Sequence, residues 1–334
     1  MNVLEAFFLT HLSKIRRLLL GAFGLFTFFI GWRFYQFYQW TIDQGEYVAR
    51  PPSVESFLPI SALLAFKRLV LTGEFDYIHP AGLVIFIAVL VIAFAARKGF
   101  CGWICPVGFI SHLVQAIGSK LKIQIAPPRW ITYPLTTVKY LLLLFFLYVI
   151  GWQMDVEAIN AFLQAPYNLA ADAKMMLFFL EPSQVPLGVL FSLFVVSMVI
   201  PNFWCRFVCP YGALLGLIAF FSPFQIHREQ EICIDCQKCN QKCPGGIQVS
   251  LQETVKSPEC IGCLECIAVC PKDGCLSITA PGKTKFKAVL LPTVTILILF
   301  GFWAIALLTN HWHSTVSPEY FKQVYQIVEQ SDHS

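Results

Sequence analysis

Charge is what this sequence has least of. Of its 334 residues only 13% are Asp, Glu, Lys or Arg, whereas 57% are apolar, a balance far from that of soluble domains and close to that of membrane proteins. Catalytic fingerprints are missing as well. No Walker loop, dinucleotide fingerprint or Ser-His-Asp set occurs, which excludes chemistry built on those motifs. There is no low-complexity segment and no long linker of Asn, Pro and Gly. Lys14, Arg16 and Arg17 precede an apolar run that continues through Trp32, Arg33 and Phe34 without a small-residue cleavage site, so the run reads as a retained anchor. The net charge of +4 argues against a nucleic-acid partner, because the basic excess lies in loops flanking apolar runs.

Cysteine, in contrast, is plentiful, with 13 in the chain. Eight fall between Cys233 and Cys270, as CIDCQKCNQKCP and, after a gap of 15 residues, CIGCLECIAVCP. Each half is the C-x2-C-x2-C-x3-C-P run of bacterial two-cluster ferredoxins, in which the fourth cysteine of each run ligates the other cluster. On that rule Cys233, Cys236, Cys239 and Cys270 hold one [4Fe-4S] cube, and Cys243, Cys260, Cys263 and Cys266 hold a second. Pro244 and Pro271 turn the backbone away after the crossing ligand, while Gly245, Gly246 and Gly262 let amides approach sulfur. A pair of zinc sites is the competing reading of C-x2-C. The doubled run with both Cys-Pro pairs favours iron-sulfur.

Five apolar windows, about 20 residues each, lie at 18–40, 80–96, 131–151, 184–203 and 286–308. Residues 97–130 carry Arg97, Lys98, Lys120, Lys122 and Arg129 with no acid, whereas Asp155, Glu157, Asp172 and Glu181 share the connection 152–183 with a single Lys. By the positive-inside rule the N-terminus and the cysteine-rich segment face the cytoplasm and the C-terminus faces out. The expected fold is therefore mainly α: a polytopic transmembrane helical bundle of five spans with an inserted cytoplasmic ferredoxin-like domain, in a cell inner membrane. The expected divisions are a membrane domain at 1–226 with an external loop at 41–79, the ferredoxin-like domain at 227–281, and a fifth span with an external tail at 282–334. Phe57 to Leu71, interrupted by Lys67 and Arg68, reads as a helix on the outer surface.

The second and fourth windows end alike, in FCGWICPVGFISHL and WCRFVCPYGALLGL. This repeat suggests two parallel halves. It also places Cys101, Cys105, Cys205 and Cys209 at corresponding points. Either each C-x3-C is helical, with its sulfurs on one face, or Pro106 and Pro210 open new helices and leave Cys105 and Cys209 at helix N-termini, where amides favour a thiolate. Three readings stand open: a third redox site, most simply an additional iron-sulfur cluster; two redox-active dithiols; or packed cysteines joining span to loop.

At CGWICPVG, WCRFVCPYGALLG and the doubled cysteine run, in that order, the sequence resembles the membrane polyferredoxins of the NapH type, and the membrane portion of NosR is similar. The resemblance covers roughly residues 80–280. It implies an inner-membrane protein passing electrons between the quinone pool and a partner such as a ferredoxin-like subunit or a multihaem cytochrome c. A fifth span after the ferredoxin run and a long first external loop depart from the NapH pattern and leave the partner open. One branch of the family is tied to assembly of copper-containing terminal oxidases. The alternative to a subunit of a quinone-linked oxidoreductase is therefore an assembly or maturation factor that reduces a metal or thiol on a client.

Single residues add candidates. Lys139, inside the third window, is expensive in a membrane and reads as a neutraliser of the thiolate site, a contact to a bound quinone, or a snorkelling side chain. His79 in DYIHP reads as an acceptor of quinol protons or as an interfacial structural histidine. His112 is expected on the polar face of a surface helix. His311 and His313 flank Trp312 as metal or docking candidates, and Cys275 fits neither run and reads as a small buried apolar residue. Tyr320, Phe321, Val324, Tyr325 and Val328 form the stripe of an external amphipathic helix.

Overall fold

The computed structural model describes residues 3–125, 127–280 and 284–332. Long runs of Leu, Phe, Ile and Val fold as helices, the local structure that satisfies every backbone group within one segment. In chain order the elements are α1 (Val3–Thr41), α2 (Pro59–Thr72), α3 (Pro80–Ala96), α4 (Gly99–Trp103), α5 (Pro106–Lys120), α6 (Arg129–Tyr148), α7 (Val156–Gln164), α8 (Pro166–Leu169), α9 (Ala171–Leu180) and α10 (Gln184–Val199). They continue with α11 (Pro210–Phe220), β1 (Gln225–Arg228), α12 (Lys238–Gln241), β2 (Thr254–Val255), α13 (Glu265–Ala268), β3 (Leu276–Ala280), β4 (Thr284–Phe286), α14 (Leu290–Leu308) and α15 (Pro318–Asp332). Proline opens α2, α5, α8 and α11 in the first turn, where its missing N–H has no partner to lose.

Helices occupy all five apolar windows. Three stretches, Glu5–Thr41, Trp130–Gln153 and Leu290–Leu308, are long and apolar enough to cross a membrane, and α9 with α10 makes a fourth if their 72° bend is taken within one span. The 17-residue α3 is about 26 Å long at 1.5 Å per residue, just short of a hydrocarbon core of about 30 Å. Residues such as Leu25, Phe28, Leu144, Phe145, Leu297 and Leu308 stay exposed, a surface suited to lipid. Helix α1 runs unbroken from Val3 to Thr41, so Lys14, Arg16 and Arg17 lie in the same helix as the apolar run that they precede.

The chain divides into two compact units. The first comprises Met1–Gly24, Val89–Leu143 and Ser192–Leu299. Its antiparallel sheet has the order β2-β1-β3-β4, with Ile226 opposite Val255 on one side and Ile278 on the other. Ile226, Val255, Ile278, Leu264, Trp103 and Leu291 share one core. A backbone clamp joins the first repeat turn to the second ferredoxin run. Trp103 Nε1 donates to Gly262 O at 3.0 Å, Arg16 Nε donates to Gly102 O at 2.9 Å, and a Cβ on Gly102 would fall 2.4 Å from Ile261 O.

The second unit comprises Leu25–Ala88, Leu144–Phe191 and Phe300–Ser334. The expected outer helix is present as α2, but it packs against α7 through Leu64 and Ala65 with Ile159 and Leu163. The two cations that interrupt it are directed inward: Lys67 Nζ donates to Ile150 O at 2.9 Å, and Arg68 Nη2 donates to Phe75 O at 3.0 Å. Of the stripe of α15, Phe321, Val324 and Tyr325 are buried on Phe34 and Phe37 of α1, Val328 is partly buried against them, and Tyr320 is exposed.

At the centre of this unit Arg50 donates from Nε and Nη2 to Asp172 Oδ2 at 2.9 and 2.6 Å and from Nη1 to Glu55 Oε1 at 2.7 Å. Tyr325 OH donates to Asp172 Oδ1 at 2.6 Å, and Gly82 N donates to Glu55 Oε2 at 3.0 Å. His79 Nδ1 lies 3.6 Å from Glu55 Oε1. Two buried carboxylates thus face one guanidinium, with His79 beside them. Burial alone would push the His79 pKa down, but its hydrogen bond to Glu55 and the Glu55 charge outweigh that and raise it.

Removing one member of a buried ion pair costs about 3–5 kcal/mol. Arg50→Met is expected to lower the melting temperature of the detergent-solubilised protein accordingly, and Arg50→Met with Glu55→Gln to recover part of the loss; an unchanged single variant refutes the cluster's role. Because the folded pKa of His79 is raised, its contribution is fully present below the ordinary histidine value of about 6.5 and is lost as pH rises through the folded value. His79→Gln should flatten that pH dependence.

Candidate metal centre

The doubled run folds twice along one path. Asp235 and Gly262 have φ of 52° and 62°, Gln237 and Leu264 of 55° and 63°, and Gly246 and Gly274 of 66° and 76°. These left-handed residues wrap the first three cysteines of each run around a hollow and turn the chain after the fourth. Gly246 is called for by its positive φ; a Cβ there would also fall 2.4 Å from Arg206 Nη2, a flexible side-chain end that would have to move aside.

Each hollow collects four cysteines. Cys243, Cys260, Cys263 and Cys266 line one of about 390 Å³, open mouth included, together with Ile226, Ile247, Val249, Val255 and Leu264. Cys233, Cys236, Cys239 and Cys270 line the other, of about 350 Å³, together with Arg228, Gln237, Ser250, Lys272 and Cys275. Three members of each set come from one run and the fourth from the other. Among the described residues no three His, Cys, Asp or Glu side chains are grouped to hold a single metal ion. Zinc at 2.3 Å from four sulfurs would need them about 3.8 Å apart. Four sulfur donors spread around a void fit an iron-sulfur cluster instead.

The two hollows differ in exposure. Cys236 is exposed, whereas Cys263 is buried; burial pushes the Cys263 thiol up to about 12, against the pull of Arg16. Arg16 is itself paired with Glu265 at 3.4 Å. It also meets His112, Nη2 to Nε2 at 2.5 Å. His112 is therefore half-buried against a cation and not a solvated polar-face residue. Burial first, then Arg16 and Arg17, lower its pKa to about 4.

At the repeat motifs the second of the two geometries is found. Cys105 and Cys209 immediately precede the prolines that open α5 and α11, and Gly212 N donates to Cys209 Sγ at 3.2 Å. Cys101 lies in α4 and Cys205 in a π-turn, Trp204–Val208, with Ser111 Oγ 3.7 Å from Cys205 Sγ. Cys101 feels the charge of the other three sulfurs, Cys105 that of Cys205 and Cys209, and Cys205 that of Cys209. The thiolate expected from the helix N-terminus does not follow. Burial dominates and pushes Cys105 up to about 12 and Cys205 to about 11, although the amide of Gly108 pulls Cys105 the other way.

Lys139 is fully buried and donates to Glu259 Oε2 at 2.5 Å, while Tyr140 OH donates to Glu259 Oε1 at 2.9 Å. Lys98 Nζ stands 3.7 Å from the same carboxylate and 3.4 Å from Gly212 O. Glu259 adjoins Cys260, so these lysines lie between one ferredoxin set and the second repeat turn. His79 belongs to the Arg50 cluster. His311 packs edge-on against Phe75 with centroids 4.4 Å apart. Cys275, read from sequence as apolar filler, is buried as expected but forms part of a hollow's wall. Glu259 was not anticipated; its place directly before a ligand-run cysteine was the only sequence signal.

A family profile described as a 4Fe-4S binding domain matches residues 78–124 and 184–228, and one described as a 4Fe-4S dicluster domain matches 225–271. YccM of Escherichia coli strain K12, named for electron transport, is 37% identical over 322 residues, covering 94% of this chain and 90% of that protein. The regulatory protein NosR of Stutzerimonas stutzeri is 30% identical over 51% of this chain and 23% of its own length. The ferredoxin-type protein NapH of Escherichia coli strain K12 is 25% identical over 56% of this chain and 64% of its own. No solved structure matches.

Glu259→Gln leaves two buried lysines without their counter-ion and should destabilise the protein by about 3–5 kcal/mol. Adding Lys139→Met should return much of that, as a double-mutant cycle on thermal unfolding would read. Independent, additive effects of the two substitutions are the outcome that counts against the pair.

Proposed function

Because this chain belongs to the NapH/NosR-type membrane polyferredoxins, we propose that it carries electrons as a subunit of a quinone-linked oxidoreductase in the cell inner membrane, with its ferredoxin module, set between the fourth and fifth spans, on the cytoplasmic side. Cys233, Cys236, Cys239 and Cys270 are the ligands of one [4Fe-4S] cluster and Cys243, Cys260, Cys263 and Cys266 those of another. A cluster of this type, when bound, exchanges one electron at a time. The observation that carries the reading is the pair of four-sulfur hollows, each completed by the crossing cysteine.

Cys101, Cys105, Cys205 and Cys209 are proposed to hold a third iron-sulfur cluster. Four half-buried thiols raised by desolvation are poor dithiol redox agents, and metal binding is what makes thiolates stable in such a place. Lys98 and Lys139 offset the resulting negative charge, which assigns Lys139 to thiolate neutralisation and not to quinone. Donor and acceptor are a quinol and a one-electron partner such as a cytochrome c or a ferredoxin-like subunit. His79, between Arg50 and Glu55 on its Nδ1 side and Asn168 O on its Nε2 side, is the residue through which quinol protons are proposed to enter the Arg50 cluster.

Protein purified without oxygen should contain more than eight irons per chain with matching acid-labile sulfide, and a quinol should reduce its EPR-active centres in liposomes. Cys105→Ser with Cys209→Ser should lower the count to about eight and spare the ferredoxin signals. Colourless, zinc-loaded material, or centres inert to quinol, would sink the proposal.

A further inference from the structure

Three cations beside the cysteines of the first unit have acids of their own. Arg16 lies 3.4 Å from Glu265, and Lys98 and Lys139 lie 3.7 and 2.5 Å from Glu259. Arg97 has none. It is 0% exposed; its Nη2 donates to Ser257 O at 2.7 Å, while Nε and Nη1 are buried with no hydrogen-bond partner among the described residues.

A guanidinium stays charged in a protein interior, and a buried charge without a partner is costly to the fold. The C-terminal end of α3, which Arg97 follows with φ of 56°, does not account for it, since neither free nitrogen bonds to a carbonyl there. Water satisfies N–H groups but does not neutralise a charge. The counter-charge therefore comes from a group outside the polypeptide.

Two contacts say where that group sits. Ser257 O accepts from Cys260 N at 3.2 Å as well as from Arg97, and a Cβ on Gly262 would fall 3.2 Å from Ala96 O, the residue before Arg97. Cys260 and Gly262 both line the hollow of Cys243, Cys260, Cys263 and Cys266. Arg97 is thus fastened to the loop that wraps this hollow.

We infer that Arg97 is a charge-compensating residue for the centre in the hollow of Cys243, Cys260, Cys263 and Cys266, and that it raises the reduction potential there. Net charge is one of the levers that set a cluster's potential. Reduction adds an electron to a site already rich in thiolate, so a cation fixed beside it stabilises the reduced form more than the oxidised one. Arg97 keeps its proton in both states, and no bond to it is made or broken. This rests on the proposal that the hollow holds a [4Fe-4S] cluster.

The test is an anaerobic redox titration of the full chain followed by EPR, with iron counted in every sample. The midpoint that Cys236→Ser moves belongs to the exposed set, and the signal that Cys105→Ser with Cys209→Ser removes belongs to the repeat turns. Arg97→Met should lower the remaining midpoint by about tenfold in how one electron is shared, roughly 59 mV for a one-electron couple, and leave the others in place. Arg97→Lys, which keeps the charge and loses the fork, should lie closer to wild type than Arg97→Met. Should Arg97→Met fail to fold, Arg97→Gln, with a donor for Ser257 O but no charge, is read in its place. An unmoved midpoint, a shift confined to another centre, or Arg97→Lys falling as far as Arg97→Met would overturn the assignment. A wild-type chain without iron would instead remove the cluster reading itself.

Discussion

Negative charge on sulfur, held away from water, is the constraint to which the first unit answers. An ionised group in a low-dielectric interior is costly unless paired or bound to metal. The response here has three parts. Four sulfurs line each hollow, glycines let backbone approach where a side chain would collide, and cations stand nearby with acids of their own. Arg16 is tied to Glu265, and Lys98 and Lys139 to Glu259. The cations are thus fixed in place instead of collapsing onto the cysteines.

The same logic governs the second unit with different groups. Arg50, Glu55, Asp172, His79 and Tyr325 come from segments distant in sequence, and none has ready access to water. A buried ion cluster is a poor source of net stability compared with apolar packing. Its worth lies in specificity: the fork of Arg50 accepts carboxylates only in one arrangement, which holds the 3-10 turn Pro52–Phe57, α9 and α15 in mutual register. A proton more or less on His79 changes that balance, and this makes the cluster a place where proton chemistry can be felt by structure.

What could be read in advance follows from how local each signal is. The eight-cysteine spacing encodes its own pairing, because a C-x2-C-x2-C loop closes on itself and leaves a fourth position for the crossing strand. Apolar windows announce helices for the same reason. Proline after cysteine left two geometries open, and the structure adopts the helix-opening one at both repeats. Signals spread over distance were silent. Lys139 and Glu259 are 120 positions apart, and nothing in either neighbourhood names the other. Helix N-termini suggested thiolates at Cys105 and Cys209, yet burial, which no local pattern reports, outweighs the amides. Cys275 is buried as read, while its place in a hollow's wall had no signal in the spacing; only the turn at Gly274 carries it there.

Duplication explains why such a turn has consequences. Two copies of one loop produce two like cradles, and two identical centres would share an electron evenly and give transfer no preferred order. Inequality has to come from side chains that the backbone does not dictate. In one hollow those are Ile226, Ile247, Val249, Val255 and Leu264; in the other they are Arg228, Gln237, Ser250, Lys272 and Cys275. Solvent access and hydrogen bonds to sulfur are the levers by which a protein sets a cluster's potential, and both differ here within one repeated framework. The chain needs no further catalytic group for this task. Its contribution is to hold like centres in unlike surroundings, so that an electron arriving at one has a reason to move to the other.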